Sequence, residues 1–124
     1  MPDLEQNKKA VVGFYELAFN DKKPEEAVET YVGSEYIQHN PQAPDGPEAF
    51  IGFVRAFPEA HVDIRRVFAD GDIVITHSLL NFAKDDTGTV AVDFFRLDPN
   101  GKIVEHWDVL QPYPGESANP HPMF

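Results

Sequence analysis

The chain has 124 residues, no cysteine and a formal net charge of −11, from 21 acidic and 10 basic residues. The lack of cysteine excludes disulfide bonds, thiolate metal sites and a cysteine nucleophile. The negative charge repels nucleic-acid phosphates and anionic lipid surfaces, so we expect neither as a partner. The first residues lack the basic and apolar regions of a signal peptide, and no apolar run approaches the ~18 residues that span a bilayer. We therefore expect a cytoplasmic protein with one domain, residues 1–111, and an irregular proline-rich tail, residues 112–124.

The first predicted element is an amphipathic helix. Asp3 and Gln6 form an N-terminal capping pattern, and apolar residues then recur at helical spacing as far as Phe19. The pair Asn20-Asp21 is expected to end this helix.

Two shorter helices are predicted next. One begins at Pro24, a residue favoured in the first turn, and Gly33 is expected to end it in a left-handed conformation. The other runs from Pro47 to Phe57, where Pro58 follows.

The second half of the chain is predicted to form strands. Stretches rich in β-formers alternate with turn signals such as Asp-Gly and Asn-Gly. The strands are expected over residues 61–69, 72–83, 89–97 and 102–111. Three N-terminal helices packed on one face of a curved antiparallel meander give an α+β architecture.

Four segments carry a recognisable pattern: Tyr36–Pro41, Ala69–Val74, Val92–Arg96 and Gly101–Val109. In this order and spacing they resemble the NTF2-like superfamily and, within it, the SnoaL-like group that includes polyketide cyclases. The resemblance covers residues 4–111. It implies a cone-shaped fold with a central pocket. It also implies a cofactor-independent acid–base enzyme, such as an aldol-type cyclase, isomerase or dehydratase, acting on a small apolar carbonyl compound.

The resemblance also implies roles for residues of the last strand. In related ketosteroid-isomerase and cyclase folds, the positions that match His106 and Asp108 face the cavity. Asp108 would then be the general base that takes a proton from carbon next to a carbonyl. His106 would hydrogen-bond to Asp93 or Asp108. The alternative is that Asp108 only pairs with a neighbour or with water.

Asp93 lies in a segment that resembles an isomerase segment whose aspartate is kept protonated. A neutral carboxylic acid in an apolar site can donate a hydrogen bond to a developing oxyanion. The alternative is a salt bridge from Asp93 to Arg96, Arg65 or His77.

The sequence departs from the isomerase pattern at two positions. The isomerase base falls where Asn40 stands, and an amide cannot accept that proton. The isomerase's oxyanion tyrosine falls near Phe14, with Tyr15 expected to point elsewhere. A steroid-isomerase mechanism is therefore not expected, and Asn40 and Phe14 are instead predicted to contact the substrate.

Other candidate site residues follow from position. His39 lies at the joint between the second and third helices, where the cavity mouth is expected. It could transfer protons near neutral pH or merely cap backbone carbonyls. Phe95 and Leu110 share strand faces with the two aspartates and are predicted substrate contacts. His77 is included as a contact, although its face depends on the register of its strand.

No metal or organic cofactor is expected. Three imidazoles, those of His39, His77 and His106, or two of them with Asp93, would be an acceptable ligand set. The close spacing of a His-Glu-x-x-His motif is absent, however, as are a phosphate-binding glycine loop and a Gly-x-Ser-x-Gly elbow.

Trp107 lies between two pocket candidates on one strand and should face away from the cavity. An exposed tryptophan on a sheet indicates a contact surface, so we expect a homodimer through the outer sheet face. The alternative is that a curled sheet edge or the proline-rich tail covers Trp107. The expected partner is a small apolar oxygenated ligand, and the alternative function is that of a non-catalytic module that binds such a ligand.

Overall fold

The computed structural model describes residues 2–124, which form three α-helices, one π-helical turn and five strands. The elements in chain order are α1 (Leu4–Tyr15), the π-turn (Glu16–Asn20), α2 (Pro24–Tyr31), β1 (Val32–Gln38), α3 (Pro47–Ala56), β2 (His61–Asp70), β3 (Ile73–Asn81), β4 (Thr89–Leu97) and β5 (Ile103–Pro112). No helix in this part of the chain is both long and apolar enough to cross a bilayer.

The helices begin where the sequence predicts. The side chain of Asp3 accepts a hydrogen bond from the Gln6 N–H at 3.0 Å and caps α1. The chain then continues through the π-turn, in which the Asp21 N–H donates to the Glu16 carbonyl at 2.9 Å, and the helix ends at Asn20 as expected. Pro24 and Pro47 occupy first-turn positions of α2 and α3.

The sheet has the order β1-β5-β4-β3-β2. Strands β2 to β5 form the predicted antiparallel meander. The additional strand β1 runs parallel to β5 and precedes α3, so the helices are not contiguous in sequence. The fold class is nevertheless the expected α+β fold with helices on one face of a curved sheet.

The prediction for Gly33 was wrong. This residue lies inside β1 and does not have the positive φ of a left-handed cap. A Cβ at this position would lie 2.9 Å from Val104 Cγ1, so glycine allows β1 to approach β5 closely. The strand was missed because residues 33–35 are small or polar and show no alternation.

Alternation along the strands gives the sheet two distinct faces. On the inner face, Val67, Thr76, Asp93 and Asp108 are successive cross-strand partners from β2 to β5. This face and the helices enclose the core, in which Phe14 and Phe95 are fully buried. On the outer face, the corresponding row is Phe68, Ile75, Phe94 and Trp107.

Candidate active site

A cavity of about 130 Å³ lies between the helices and the inner face of the sheet. Most of its wall is apolar and is built by Phe19, Phe50, Phe53, Val62, Leu80 and Phe82. Its polar lining includes the side chains of Tyr15, Tyr36, Gln38, Asn40, Asp93, His106 and Asp108. Several of these polar groups hydrogen-bond to one another, which leaves a compact polar cluster beside an aromatic wall.

Two strands position the carboxylates and the imidazole. Asp93 on β4 is the direct cross-strand partner of Asp108 on β5, and His106 lies two residues before Asp108. Because side chains two residues apart share a face, all three point inward. The prediction that they face one cavity is confirmed, whereas their catalytic roles stay predictions.

His106 and Asp93 form the most buried contact of the site. His106 Nε2 lies 2.8 Å from Asp93 Oδ1 and 3.9 Å from Asp108 Oδ2. The Tyr15 hydroxyl donates to the same Asp93 oxygen at 2.9 Å and lies 3.3 Å from His106 Nε2. Asp93 therefore pairs with His106 and Tyr15, and not with Arg96, which binds Glu105.

Asp108 is held by Asn40. The Asn40 Oδ1 accepts a hydrogen bond from the Gln42 N–H at 2.8 Å, which fixes the orientation of the amide. The amide nitrogen consequently faces Asp108 and lies 3.0 Å from each carboxylate oxygen. Asn40 thus lines the cavity as predicted, and it orients the carboxylate.

The two buried tyrosines remain phenols over a wide pH range. Burial, followed by the charge of Asp93, raises the pKa of Tyr15 well above its ordinary value. Burial, followed by the charges of Asp93 and Asp108, also raises the pKa of Tyr36. Tyr15 therefore acts as a hydrogen-bond donor toward Asp93 and not as a base.

Two predicted histidines lie on the outer face, not in the cavity. His39 stacks on Trp107 with ring centroids 4.6 Å apart, and its Nε2 lies 2.7 Å from Glu105 Oε2. The reason is alternation at the end of β1, which turns residues 38 and 40 inward and residue 39 outward. His77 lies 3.1 Å from Arg66 Nη1 on the same outer face.

Two aromatic residues that were predicted to contact the substrate do not line the cavity. Phe14 is fully buried behind the cavity wall, where its ring stacks on Phe50 at 4.6 Å. Phe95 is fully buried with its ring 5.0 Å from that of His106, which it supports. Leu110 lines the cavity as predicted.

Three residues of the hydrogen-bonded polar cluster were missed: Tyr15, Tyr36 and Gln38. For Gln38 a signal existed, because it lies two residues before Asn40 and so shares its face in an extended segment. Tyr15 was predicted to point away from the cavity. In the structure both Phe14 and Tyr15 face inward, and Tyr15 lines the cavity.

Within residues 2–124, the group able to hold a metal ion is Asp93, His106 and Asp108, whose potential ligand atoms all lie within 4.8 Å of one another. This set shares Asp93 and His106 with one of the sets considered from the sequence. Asp108 takes the place of the second imidazole, because His39 and His77 lie on the outer face.

The family model for the SnoaL-like domain matches residues 11–106. The chain belongs to the SnoaL-like family. Among curated protein sequences, none matches this SnoaL-like chain.

Solved structures with the same fold agree with this assignment. TsrD from Streptomyces laurentii has a TM-score of 0.74 at 17% identity, covering 90% of this chain and 92% of that protein. A protein from Acidithiobacillus ferrooxidans described as a polyketide cyclase has a TM-score of 0.72 at 21% identity, and the match covers 90% of this chain and 92% of that protein. An LEH-like epoxide hydrolase from M. tuberculosis has a TM-score of 0.69 at 20% identity, and the match covers 89% of this chain and 86% of that protein. At these identities the similarity establishes the fold of the SnoaL-like chain.

Proposed function

We propose that this SnoaL-like protein is a cofactor-independent acid–base enzyme that acts on a small apolar carbonyl compound. One observation carries the proposal: two carboxylates and an imidazole, all oriented by neighbouring side chains, converge at a largely apolar cavity. Folds of this kind include proteins described as polyketide cyclases and as an epoxide hydrolase, which is consistent with acid–base chemistry. Cyclisation, isomerisation and dehydration could each begin with the same proton transfer.

In the proposed reaction, Asp108 takes a proton from the carbon next to the carbonyl. The electron pair of the broken C–H bond moves into the carbonyl group and forms an enolate. As the enolate forms, the proton shared by Asp93 and His106 turns from their mutual contact toward the enolate oxygen, and Asp93, as the neutral acid, donates it in a hydrogen bond. His39 has no part in this reaction, because it lies on the other face of the sheet.

The cavity limits the ligand in size and charge. An apolar protein cavity of roughly 150 Å³ holds one benzene molecule, so a cavity of about 130 Å³ accommodates roughly one six-membered ring. Among residues 2–124 no lysine or arginine lines the cavity, whereas two aspartates and one histidine do. We therefore favour an uncharged single-ring ketone or a comparable enone as the ligand.

The test is exchange of the protons next to the carbonyl in D2O, followed by mass spectrometry, with cyclohexanone and 3-methylcyclohex-2-enone as probes. We expect the wild-type protein to accelerate deuterium incorporation and Asp108→Asn to reduce the acceleration by roughly 10²-fold or more. Asp85→Asn, the same substitution at an exposed turn residue, is the matched control and should leave the rate unchanged.

A second candidate function is binding without reaction. It is favoured by the contact in which both oxygens of Asp108 face the Asn40 amide, because this occupies lone pairs that a base needs. Binding of the probes in calorimetry, with no accelerated exchange and with equal affinity in Asp108→Asn, would establish this function in place of catalysis.

We also propose that the protein forms a homodimer through the outer sheet face. The row Phe68, Ile75, Phe94 and Trp107 is apolar, and Phe68 is 59% exposed. Val109, on the same face, is 66% exposed. A second copy of this face would cover these side chains. Light scattering after size exclusion should show a dimer that Phe68→Asp dissociates, and a wild-type monomer at micromolar concentration would exclude it.

A further inference from the structure

A single atom, the side-chain oxygen of Gln38, contacts both halves of the proposed site. Gln38 Oε1 lies 3.1 Å from the main-chain N–H groups of His39 and Asn40, both of which donate to it. The same oxygen lies 2.7 Å from His106 Nδ1. Gln38 is also the cross-strand partner of His106 where β1 pairs with β5.

The main chain determines which end of the Gln38 amide faces the site. A main-chain N–H can only donate, so the atom that faces the two N–H groups must be the oxygen. The His39 N–H is shared with the His106 carbonyl at 3.0 Å, whereas the Asn40 N–H has Gln38 Oε1 as its partner. A flipped amide would place an NH2 group against these donors.

The orientation of the amide in turn determines where the imidazole carries its hydrogen. An oxygen can only accept, so His106 Nδ1 must donate to it and must carry a hydrogen in both the neutral and the charged ring. His106 Nε2 is then left for the contact with Asp93, where one proton can move between nitrogen and oxygen.

We propose that Gln38 is a positioning residue that fixes the Nδ1–H tautomer of His106. It thereby directs the exchangeable proton of the site to the Nε2–Asp93 contact inside the cavity. Through the Asn40 N–H, the same oxygen also anchors the residue that holds Asp108. The role in catalysis rests on the proposed function, whereas the tautomer is a property of the protein alone and is tested without substrate.

The experiment is NMR of histidine side chains in 15N-labelled protein over a pH series, with the His106 signals identified by their loss in His106→Asn. In the wild-type protein we expect a hydrogen-bonded, downfield Nδ1–H proton in every protonation state of His106. Gln38→Leu removes the acceptor, and the Nδ1–H signal should move upfield and broaden through exchange with water.

Two further variants separate tautomer control from general damage. Gln38→Glu keeps an acceptor oxygen and should retain the downfield Nδ1–H signal. Gln42→Leu makes the same amide-to-leucine change at another cavity residue, one whose side chain makes no hydrogen bond within residues 2–124, and should leave the signal unchanged. Should Gln38→Leu fail to fold, the wild-type spectrum and Gln38→Glu still decide the question.

The inference is overturned if neutral wild-type His106 carries its hydrogen on Nε2, or if folded Gln38→Leu keeps the wild-type Nδ1–H signal. If the probe ketones do exchange, Gln38→Leu should also slow exchange by roughly 10²-fold, less than the ~10⁴-fold that a wrong histidine tautomer costs in a catalytic triad. If His106 carries its hydrogen on Nδ1 but the protein does not accelerate deuterium exchange of the ketones, the proposed function is refuted. The role of Gln38 in fixing the tautomer then still holds.

Discussion

Tyr15→Phe tests how far the polar cluster stabilises the fold. The substitution removes the hydroxyl that donates to Asp93 Oδ1 at 2.9 Å, while Asp93 itself is only 3% exposed. Hydrogen bonds to charged groups contribute about 1.5–3 kcal/mol, and water cannot easily replace a lost donor at a buried oxygen. Because His106 remains a partner of Asp93, we expect a loss of about 2 kcal/mol in the free energy of unfolding at pH 7. For a chain of this length, that corresponds to a melting temperature lower by roughly 6–10 °C.

The assay is urea unfolding monitored by fluorescence. The slope of the free energy of unfolding against urea concentration should be the same for both proteins. Tyr113→Phe is the matched control, since Tyr113 is partly exposed and its hydroxyl makes no hydrogen bond within the described residues. We expect the control to differ from wild type by less than about 0.5 kcal/mol.

The pH dependence of the Tyr15 effect has a definite sign. Burial raises the pKa of Tyr15 in the folded protein, so its contribution is fully present below the ordinary tyrosine pKa of about 10 and is lost as pH rises further. The difference between wild type and Tyr15→Phe should therefore narrow above pH 10, by at most about 1.4 kcal/mol per pH unit. Equal stabilities at pH 7, or a difference that widens at alkaline pH, would refute the reasoning.

Three further substitutions test other contacts by the same unfolding assay. Thr76→Val removes a buried hydroxyl that has no hydrogen-bond partner within residues 2–124, so we expect a gain of about 1 kcal/mol, and a comparable loss would contradict this. Asp86→Ala removes a carboxylate whose pKa is lowered by the N–H groups of Phe82 and Gly88. Its loss should cost about 1 kcal/mol at neutral pH, because the turn is exposed. Glu105→Gln removes a carboxylate whose pKa is lowered by hydrogen bonds from the His39 imidazole and the Arg96 guanidinium. This should cost about 1 kcal/mol at pH 7. The difference from wild type should be fully present above the ordinary glutamate pKa of about 4.3 and should be lost as pH falls through the lower pKa of the folded protein.

The inner face of the meander could be predicted from the sequence because one rule governs it. Side chains alternate along β5, so two residues of separation place His106 and Asp108 on one face. The cross-strand pairing of Asp93 with Asp108 does not follow from the turn at residues 98–101 alone, because a register shift between Arg96 and Leu97 moves β4 by one residue against β5.

The placement of His39 could not be predicted in the same way. With Gly33 taken as a helix cap, residues 34–40 had no assigned strand. Alternation then groups Gln38 with Asn40 but does not show which side of this segment faces the cavity. A parallel partner that lies far along the chain leaves no local turn signal. Once β1 is known, Gln38 and Asn40 face inward and His39 faces outward.

Tyr15 illustrates a different limit. Helical periodicity identifies a buried stripe that includes both Phe14 and Tyr15. It does not indicate which of two neighbouring inward residues packs in the core and which borders a cavity. That choice depends on the position of the sheet relative to the helix, which local spacing does not encode.

The position of β5 between β1 and β4 has a consequence for how a ligand enters. His106 and Asp108 lie on a strand that is hydrogen-bonded on both sides, and such strands open only in the rarest fluctuations. The cavity lining also includes Gln42, Ala43 and Pro44, which belong to a loop outside the sheet. We expect hydrogen exchange to be slower at the β5 amides than in residues 41–46, whose amide hydrogen bonds belong to turns and not to strand pairing. A ligand could then pass the loop while the groups that receive it stay in place.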